Sequence, residues 1–457
     1  MNNIIPKIGN VEDIICKDID KDGHGISEWN EWILVTPDLI PGEKAAVKIE
    51  YKSGSRWYTS LSNRKNESQS RCQPLCSIAE TCGSCTTQHI TGEEQWSLKV
   101  RNLKHIIQSI IKLDIRVDSI LYSKGDSYGY RNRALVPIHI SNRKELLIGY
   151  YKLKTHTIVD LNICTVLDTR LSSLLYLIKN DIQDFIKHNK FPSLHLTSLR
   201  HICLRLATNT DQILITLVSK KKYLISYTQI ANLWVDKFPF VSGVTLNIQS
   251  DNNNRVFGRN TFKLAGQDHV EDIFCGLKFI LGTTTFFQVN SSQAEKIVKH
   301  IVHWIELDKS IKSVIDAYCG VGAISLPIAK KHLFVIGIEI HEQSVIQARR
   351  NASLNNIKNC KFHNGDVKAL LDKFIKTNTA LIIDPPRKGL DPEVISIILK
   401  KLPIKIAYLS CNPVTLARDL KALIVNRSYK VEIIYPIDFF PQTTHLECLA
   451  LISRTNF

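Results

Sequence analysis

From residue 286 onward, uninterrupted apolar runs alternate with stretches of helical spacing. SVIDAYCG, FVIGIEI, CKFHNGDV, ALIIDPPR and KIAYLSCN are each followed by such a stretch, and two late apolar runs centre on Ile433 and Leu449. Strands that are apolar on both faces must be covered on both, which demands a parallel, doubly wound α/β sheet flanked by helices. Ligands of such sheets bind outside the carboxyl ends of the strands. Reactive positions are therefore expected where each apolar run stops.

Upstream, the cysteines divide the chain. Of 12 in all, Cys72, Cys76, Cys82 and Cys85 lie close together, while Cys16, Cys164, Cys203, Cys275, Cys319, Cys360, Cys411 and Cys448 are scattered singly. The first residues carry acids early and lack a signal-like apolar run, and nothing later approaches about 18 uncharged apolar residues. This predicts a soluble, cytoplasmic protein with no membrane association. In a reducing compartment clustered thiols mean metal binding or catalysis more often than disulfides.

Before the cluster, short alternating runs broken by Gly and Pro predict a small antiparallel barrel over residues 1–66. Lys44, Lys48, Lys52, Arg56, Arg64, Lys65 and Arg71 face only Glu50 and Glu67 there, with Trp57 and Tyr58 interleaved. With a formal charge of +16 for the whole chain, this pattern suits a nucleic-acid-binding barrel, though a solvated strand face would also produce it. Residues 67–285 read as a central α+β domain that opens with an amphipathic helix over 95–111 and has a polar hairpin loop at 249–256. Residues 286–457 form the third domain.

Asp316-Ala-Tyr-Cys-Gly320-Val-Gly322 follows a strand and opens a helix, so its backbone can approach a ligand at a helix N-terminus. Glu339 ends the next strand, where an acid takes ribose hydroxyls. Ser325 stands where a dinucleotide fingerprint needs a third glycine, and a Walker lysine is missing. S-adenosylmethionine, with a ribose and no pyrophosphate, fits these features better than NAD or ATP. Asp366 ends the third strand and suits either an adenine amine or a helix N-cap.

Asp384-Pro385-Pro386-Arg387 brings a carboxylate and a guanidinium to the same sheet edge on a stiff turn. One strand later Cys411 precedes a helix whose N-terminal field would favour thiolate, although a small buried thiol is the plainer reading. Cys319 and Cys448 read as packing residues. A thiolate beside a methyl donor suits a poor carbon nucleophile such as pyrimidine carbon 5. Thiolate addition at carbon 6 activates carbon 5, and a base must later remove the carbon 5 proton. Glu447 is the candidate base, or else an exposed strand-end acid.

The motifs FFQVN (286–290), DAYCGVG (316–322), DPPRKGL (384–390), SCNPVTLARDL (410–420) and FPQTTHLE (440–447) resemble, in order, those of the RNA (uracil-5-)-methyltransferases, in particular the iron–sulfur members acting on 23S ribosomal RNA. The resemblance runs from the barrel, which looks like a TRAM domain, to a Rossmann-like class I S-adenosylmethionine methyltransferase domain. It implies Cys411 as nucleophile, Glu447 as proton acceptor, and Gln288, Tyr318, Glu339 and Asp384 at the S-adenosylmethionine site. It further implies a [4Fe-4S] cluster in the central domain, held by Cys76, Cys82, Cys85 and Cys164. Ser84 replaces the family's usual second glycine between the last two close cysteines.

Cys72 leaves a four-thiolate zinc site with Cys76, Cys82 and Cys85 as an alternative, and the radical S-adenosylmethionine spacing C-x3-C-x2-C is absent. The implied partner is RNA, with no obligate protein partner. A tRNA T-loop uridine is the rival substrate. Exocyclic amine methylation is disfavoured because Arg387 occupies the position of the aromatic residue such enzymes use, and a non-catalytic RNA-binding assembly factor would not need the intact thiol, acid and arginine.

Overall fold

The structure, a computed structural model, describes residues 5–118, 127–141, 145–188, 193–251 and 255–455. By contact the chain separates into two compact units, the first comprising residues 1–103, 151–156 and 440–445 and the second the remainder.

In the first unit β1 (Val11–Ile19), β2 (Gly25–Trp29), β3 (Trp32–Thr36), β4 (Lys44–Ser53) and β5 (Arg56–Arg64) close into a barrel of order β1-β2-β3-β5-β4. Alternation along β4 sends Ala45, Val47 and Ile49 inward against Ile14, Leu34, Leu39 and Trp57. Register shifts at Ala46/Val47 and Ile49/Tyr51 let β4 bend around this core. The expected barrel is therefore present, except that β3 and β5 pair parallel rather than antiparallel, and its basic stripe is not all free. Buried Glu43 accepts from Arg71 Nε at 2.6 Å and lies 3.3 Å from Arg64 Nε, while both arginines also pair with Asp38. Burial would raise the Glu43 carboxyl, yet the Arg71 bonds hold it below the usual range. Lys65 pairs with Asp13 at 2.6 Å. The cysteine-rich loop follows β5, and α1 (Gly92–Ile111) comes next, with Glu93 and Glu94 in its first turn.

The second unit holds two seven-stranded sheets and a two-stranded hairpin. β6 (Arg133–Ile140), β7 (Leu146–Tyr151), β8 (Ile158–Asp160), α2 (Thr169–Lys187), α3 (Ser193–Leu196), β9 (Leu199–Leu206), β10 (Ile213–Ser219), α4 (Leu224–Lys237), β11 (Val241–Ile248) and β12 (Asn260–Gly266) build a sheet of order β12-β11-β10-β9-β6-β7-β8. α4 packs on β11 and β12, and α2 on β9. The polar loop expected at 249–256 joins β11 to β12, and its residues 252–254 lie outside the described residues. A hairpin of β13 (His269–Phe274) and β14 (Leu277–Gly282) leads to α5 (Ser291–Glu306).

The remaining elements are β15 (Ser313–Ala317), α6 (Ser325–Ala329), β16 (Phe334–Glu339), α7 (Glu342–Leu354), β17 (Cys360–Asn364), α8 (Val367–Phe374), β18 (Thr379–Ile383), α9 (Pro392–Lys401), β19 (Lys405–Ser410), α10 (Pro413–Ile424), β20 (Tyr429–Ile437) and β21 (Glu447–Arg454). Their sheet runs β17-β16-β15-β18-β19-β21-β20, parallel through β19 and antiparallel at β21 and β20. The order reverses between β15 and β18, which opens a crevice at their carboxyl ends. Asp391-Pro392 and Asn412-Pro413 start α9 and α10 with an N-cap side chain followed by a proline.

Buried Asp419 on α10 joins three pieces of this edge. Its Oδ2 accepts from Leu390 N at 2.8 Å and from Tyr408 Oη at 2.7 Å, and its Oδ1 accepts from Arg418 Nε at 2.8 Å. Removing the carboxylate strands a buried amide and a buried phenol, so Asp419→Ala should destabilise the chain by about 2–4 kcal/mol in urea denaturation, whereas Lys421→Ala on the same helix should cost under about 0.5 kcal/mol.

Candidate active site

The crevice at the order reversal holds a pocket that is partly open to solvent. Gln288, Tyr318, Asp384 and Glu447 line it, together with Asp316 and Phe286. Tyr318 and Asp384 follow the carboxyl ends of β15 and β18, Glu447 begins the antiparallel β21, and Gln288 lies on the segment between β14 and α5. In-register pairing of Ala317 with Ile383 places Asp384 beside Tyr318. β19 and β21 pair Ser410 with Cys448, so the next step of that antiparallel ladder brings Cys411 opposite Glu447.

Backbone and buried amides set the walls. Tyr318 is left-handed at φ 68°, an uncommon state for an aromatic residue. Glu339 does not itself line the pocket. Its carboxylate accepts from Gly320 N at 3.1 Å and from His341 N at 2.7 Å, which fixes the turn whose Gly320 does line it. Gly320 has φ 54°, and a Cβ built there would meet nothing within 4 Å, leaving that side of the turn open. Asn132 Nδ2 donates to Gln288 O at 3.0 Å and to Ser291 Oγ at 2.8 Å, while Asn132 N donates to Val289 O. Asn132 and the Asp316 carboxylate are functional groups that sequence reasoning missed. The only hint of the first was a polar residue between two arginines at the start of a strand.

Three carboxyls crowd this space. Burial raises Asp316 to about 7, partly offset by the 2.5 Å bond from Ser325 Oγ, and its Oδ1 has no hydrogen-bond partner. Burial also raises Asp384 to about 7. Glu447 is pushed up to about 8 by burial and then by Asp384, against the pull of Arg387. Such a site favours a cationic ligand able to donate to Asp316. The sulfonium and ammonium groups of S-adenosylmethionine meet both demands, so the residues present fit the cofactor.

Cys411 is half-buried, and its thiol is raised rather than lowered: burial acts first, then the charges of Glu447 and Asp384, with Arg387 opposing. Burial and these charges outweigh the expected thiolate-favouring field, and Asn412, one residue later, caps α10 by accepting from Val414 N at 3.1 Å. Asn412 Nδ2 also donates to Arg387 O at 3.2 Å, lacing the 384–388 turn to the thiol's own segment. Asp366 is an N-cap, accepting from Lys368 N at 3.1 Å.

Cys76, Cys82 and Cys85 belong to the first unit and Cys164 to the second. Burial raises Cys76, and neighbouring Cys82 adds to the rise. A Cβ at Gly83 would come within 2.5 Å of Leu153 N, so this loop needs its glycine. Among the described residues no three cysteine sulfurs lie within 4.8 Å of one another. No helix of the described residues is long and apolar enough to cross a membrane.

Comparison with known proteins adds an independent line. The family profile described as tRNA (Uracil-5-)-methyltransferase matches residues 91–455. An uncharacterized RNA methyltransferase of Parasynechococcus marenigrum is 40% identical over 96% of this chain and 94% of that protein, and one of Listeria innocua is 32% identical over 99% of each. The crystal structure of Pyrococcus abyssi tRNA (uracil-54, C5)-methyltransferase in complex with S-adenosyl-L-homocysteine shares the fold, with a TM-score of 0.73 over 96% of this chain and 98% of that one at 24% identity.

The raised carboxyls also bear on stability. Between the ordinary carboxylate range and about 8 the folded Glu447 holds a proton that the unfolded chain has released, so stability falls as pH rises through that window. Thermal melts of Glu447→Gln between pH 5 and pH 8 should show a shallower fall than the wild type. Parallel melting curves would place the Glu447 carboxyl at an ordinary value.

Proposed function

The chain belongs to the tRNA (uracil-5-)-methyltransferase family, and we propose that it methylates carbon 5 of one uridine in 23S ribosomal RNA through a covalent Cys411–uracil adduct. The observation that carries the mechanism is the β19–β21 register, which sets a thiol opposite a carboxyl beside the pocket. S-adenosylmethionine, when bound, supplies the electrophilic methyl. Cys411 adds to carbon 6 of a uracil turned out of its stack. Its proton can pass to Asp384, whose raised value suits it to accept one near neutral pH, which leaves the Glu447 carboxylate free for the later step. The negative charge gathered at carbon 5 then takes the methyl, Glu447 removes the carbon 5 proton, and the carbon–sulfur bond breaks to release the thiolate. Phe286, 59% exposed at the pocket, offers a face on which the base can stack. Gln288, Tyr318 and the Glu339-fixed turn hold the cofactor, with Asp316 as a further acceptor.

We assign residues 286–457 to this chemistry, residues 1–66 to RNA contact, and residues 67–285, with the cysteine loop, to positioning. The barrel offers stacked Tyr51 and Tyr58 (4.9 Å) and Lys52, over the Trp32 ring, as RNA-facing groups. Cys76, Cys82, Cys85 and Cys164 are assigned as ligands of a [4Fe-4S] cluster. A tetrahedral zinc site needs sulfurs about 3.8 Å apart, tighter than the cysteines stand, whereas a cluster spreads its thiolates over several irons. Protein purified without oxygen should carry about four irons and acid-labile sulfide per chain, with a loss on Cys85→Ser. Stoichiometric zinc without sulfide would remove the cluster.

The reaction is tested by two variants and one map. Cys411→Ala should neither turn over nor form adduct while still binding S-adenosylhomocysteine. Glu447→Gln should lose about 100-fold or more in turnover and accumulate protein–RNA adduct on a denaturing gel. Mapping 5-methyluridine in cells lacking the chain should show loss at one 23S position. Loss confined to tRNA would keep the chemistry and change the substrate.

A further inference from the structure

β6 and β9 run antiparallel, and their register sets Arg133 directly opposite Arg205. Like charges facing each other across a ladder repel, and no carboxylate among the described residues pairs with either. Arg205 is only 4% exposed, and its Nε has no hydrogen-bond partner. Burial, then Arg133, lowers Arg205 to about 9. An apolar pair would satisfy a structural sheet at least as well.

What the pair touches gives the arrangement its direction. Arg205 Nη2 donates to Thr285 O, and Arg133 Nη2 donates to Thr283 O at 3.2 Å. These carbonyls begin the strap that continues through Phe286 to Gln288 in the pocket wall. Arg133 is half-buried, lies 5.4 Å from the centre of the Phe257 ring, and donates from Nε to Cys203 Sγ at 3.5 Å. Its Nη1 makes no hydrogen bond among the described residues. A guanidinium oriented by an aromatic plane, with a free N–H edge and no internal counterion, is suited to an oxyanion.

We propose that Arg133, backed by the charge of Arg205, binds one backbone phosphate of the substrate RNA next to the strap that carries Phe286 and Gln288. This rests on the RNA-methylation reading above. Arg205 acts as a positioning residue: it anchors Thr285 and adds field behind Arg133 without touching the phosphate. The phosphate supplies the anion that the two strands lack, and the strap then presents Phe286 to a base of the same RNA.

The test uses the full chain with in-vitro transcripts of unmodified 23S rRNA and tRNA. Binding is measured across a salt series, alongside S-adenosylhomocysteine affinity and thermal melts. Arg133→Gln should weaken RNA binding and reduce the slope of log K against log salt by about 0.9, the value of one phosphate contact, with S-adenosylhomocysteine affinity unchanged. Arg205→Met should also weaken RNA binding while melting no lower than the wild type, and Arg205→Lys, which keeps the charge, should bind RNA more tightly than Arg205→Met. Wild-type affinity and slope in Arg133→Gln would overturn the proposal. So would a parallel loss of S-adenosylhomocysteine affinity, which would assign the anion to the cofactor's carboxylate or reduce the pair to a prop for the strap. If the wild-type chain bound neither transcript, the RNA reading itself would fall.

Discussion

Asp419 exposes no surface, and separate pieces of the catalytic edge meet on its carboxylate. Tyr408 lies on β19 three residues before Cys411, and Leu390 ends the turn that begins at Asp384. One buried side chain therefore sets the spacing between the segment that carries the thiol and the segment that carries Asp384. The same device recurs around the pocket: Asn351 on α7 donates to Val321 O and accepts from Ile280 N, and Asn132 holds Gln288 and Val289. Each wall is tied by a buried polar group from another element. Reactions that depend on ångström placement need such over-determination.

Charge is sorted across this small region. Asp316, Asp384 and Glu447 make the pocket acidic, while Arg133 and Arg205 stand behind the strap at 283–288 with no acid partner. A cationic sulfonium ligand and an anionic polymer are the two species such a division would separate. Raised carboxyls also match the proton traffic. A thiol that starts protonated needs an acceptor, and carboxyls pushed toward neutrality accept far better than ordinary ones.

Much of this was legible in the sequence because it is local or periodic. Apolar runs ending at Ala317, Ile383 and Ser410 revealed the sheet and its reactive edge, and the spacing from Gly320 to Glu339 revealed the turn and its acid. Alternation in β4 was enough for the barrel. What escaped was non-local. Arg64 and Arg71 looked like part of a free basic stripe because their partners, Asp38 and Glu43, come from a different stretch of the barrel. The Cys411 thiol looked activated because a helix follows it, but burial and the charges of two carboxyls raise it. No periodicity announces that Arg133 and Arg205 face each other, since only strand register does so.

Departures from local rules gather in one place. Asp316 keeps an unpartnered buried oxygen, two arginines oppose each other in a sheet, and Tyr318 holds a left-handed backbone. A glycine at 318 would relieve a strain of about 1–2 kcal/mol and would be easier to fold. It would also remove an aromatic wall from the pocket. That the chain keeps a strained tyrosine beside the flexible Gly320 argues that the ring, not the turn, is what the position is for. The unsatisfied oxygen and the two facing arginines follow the same logic, each costly in the free protein and each of a kind that the ligands proposed above would answer.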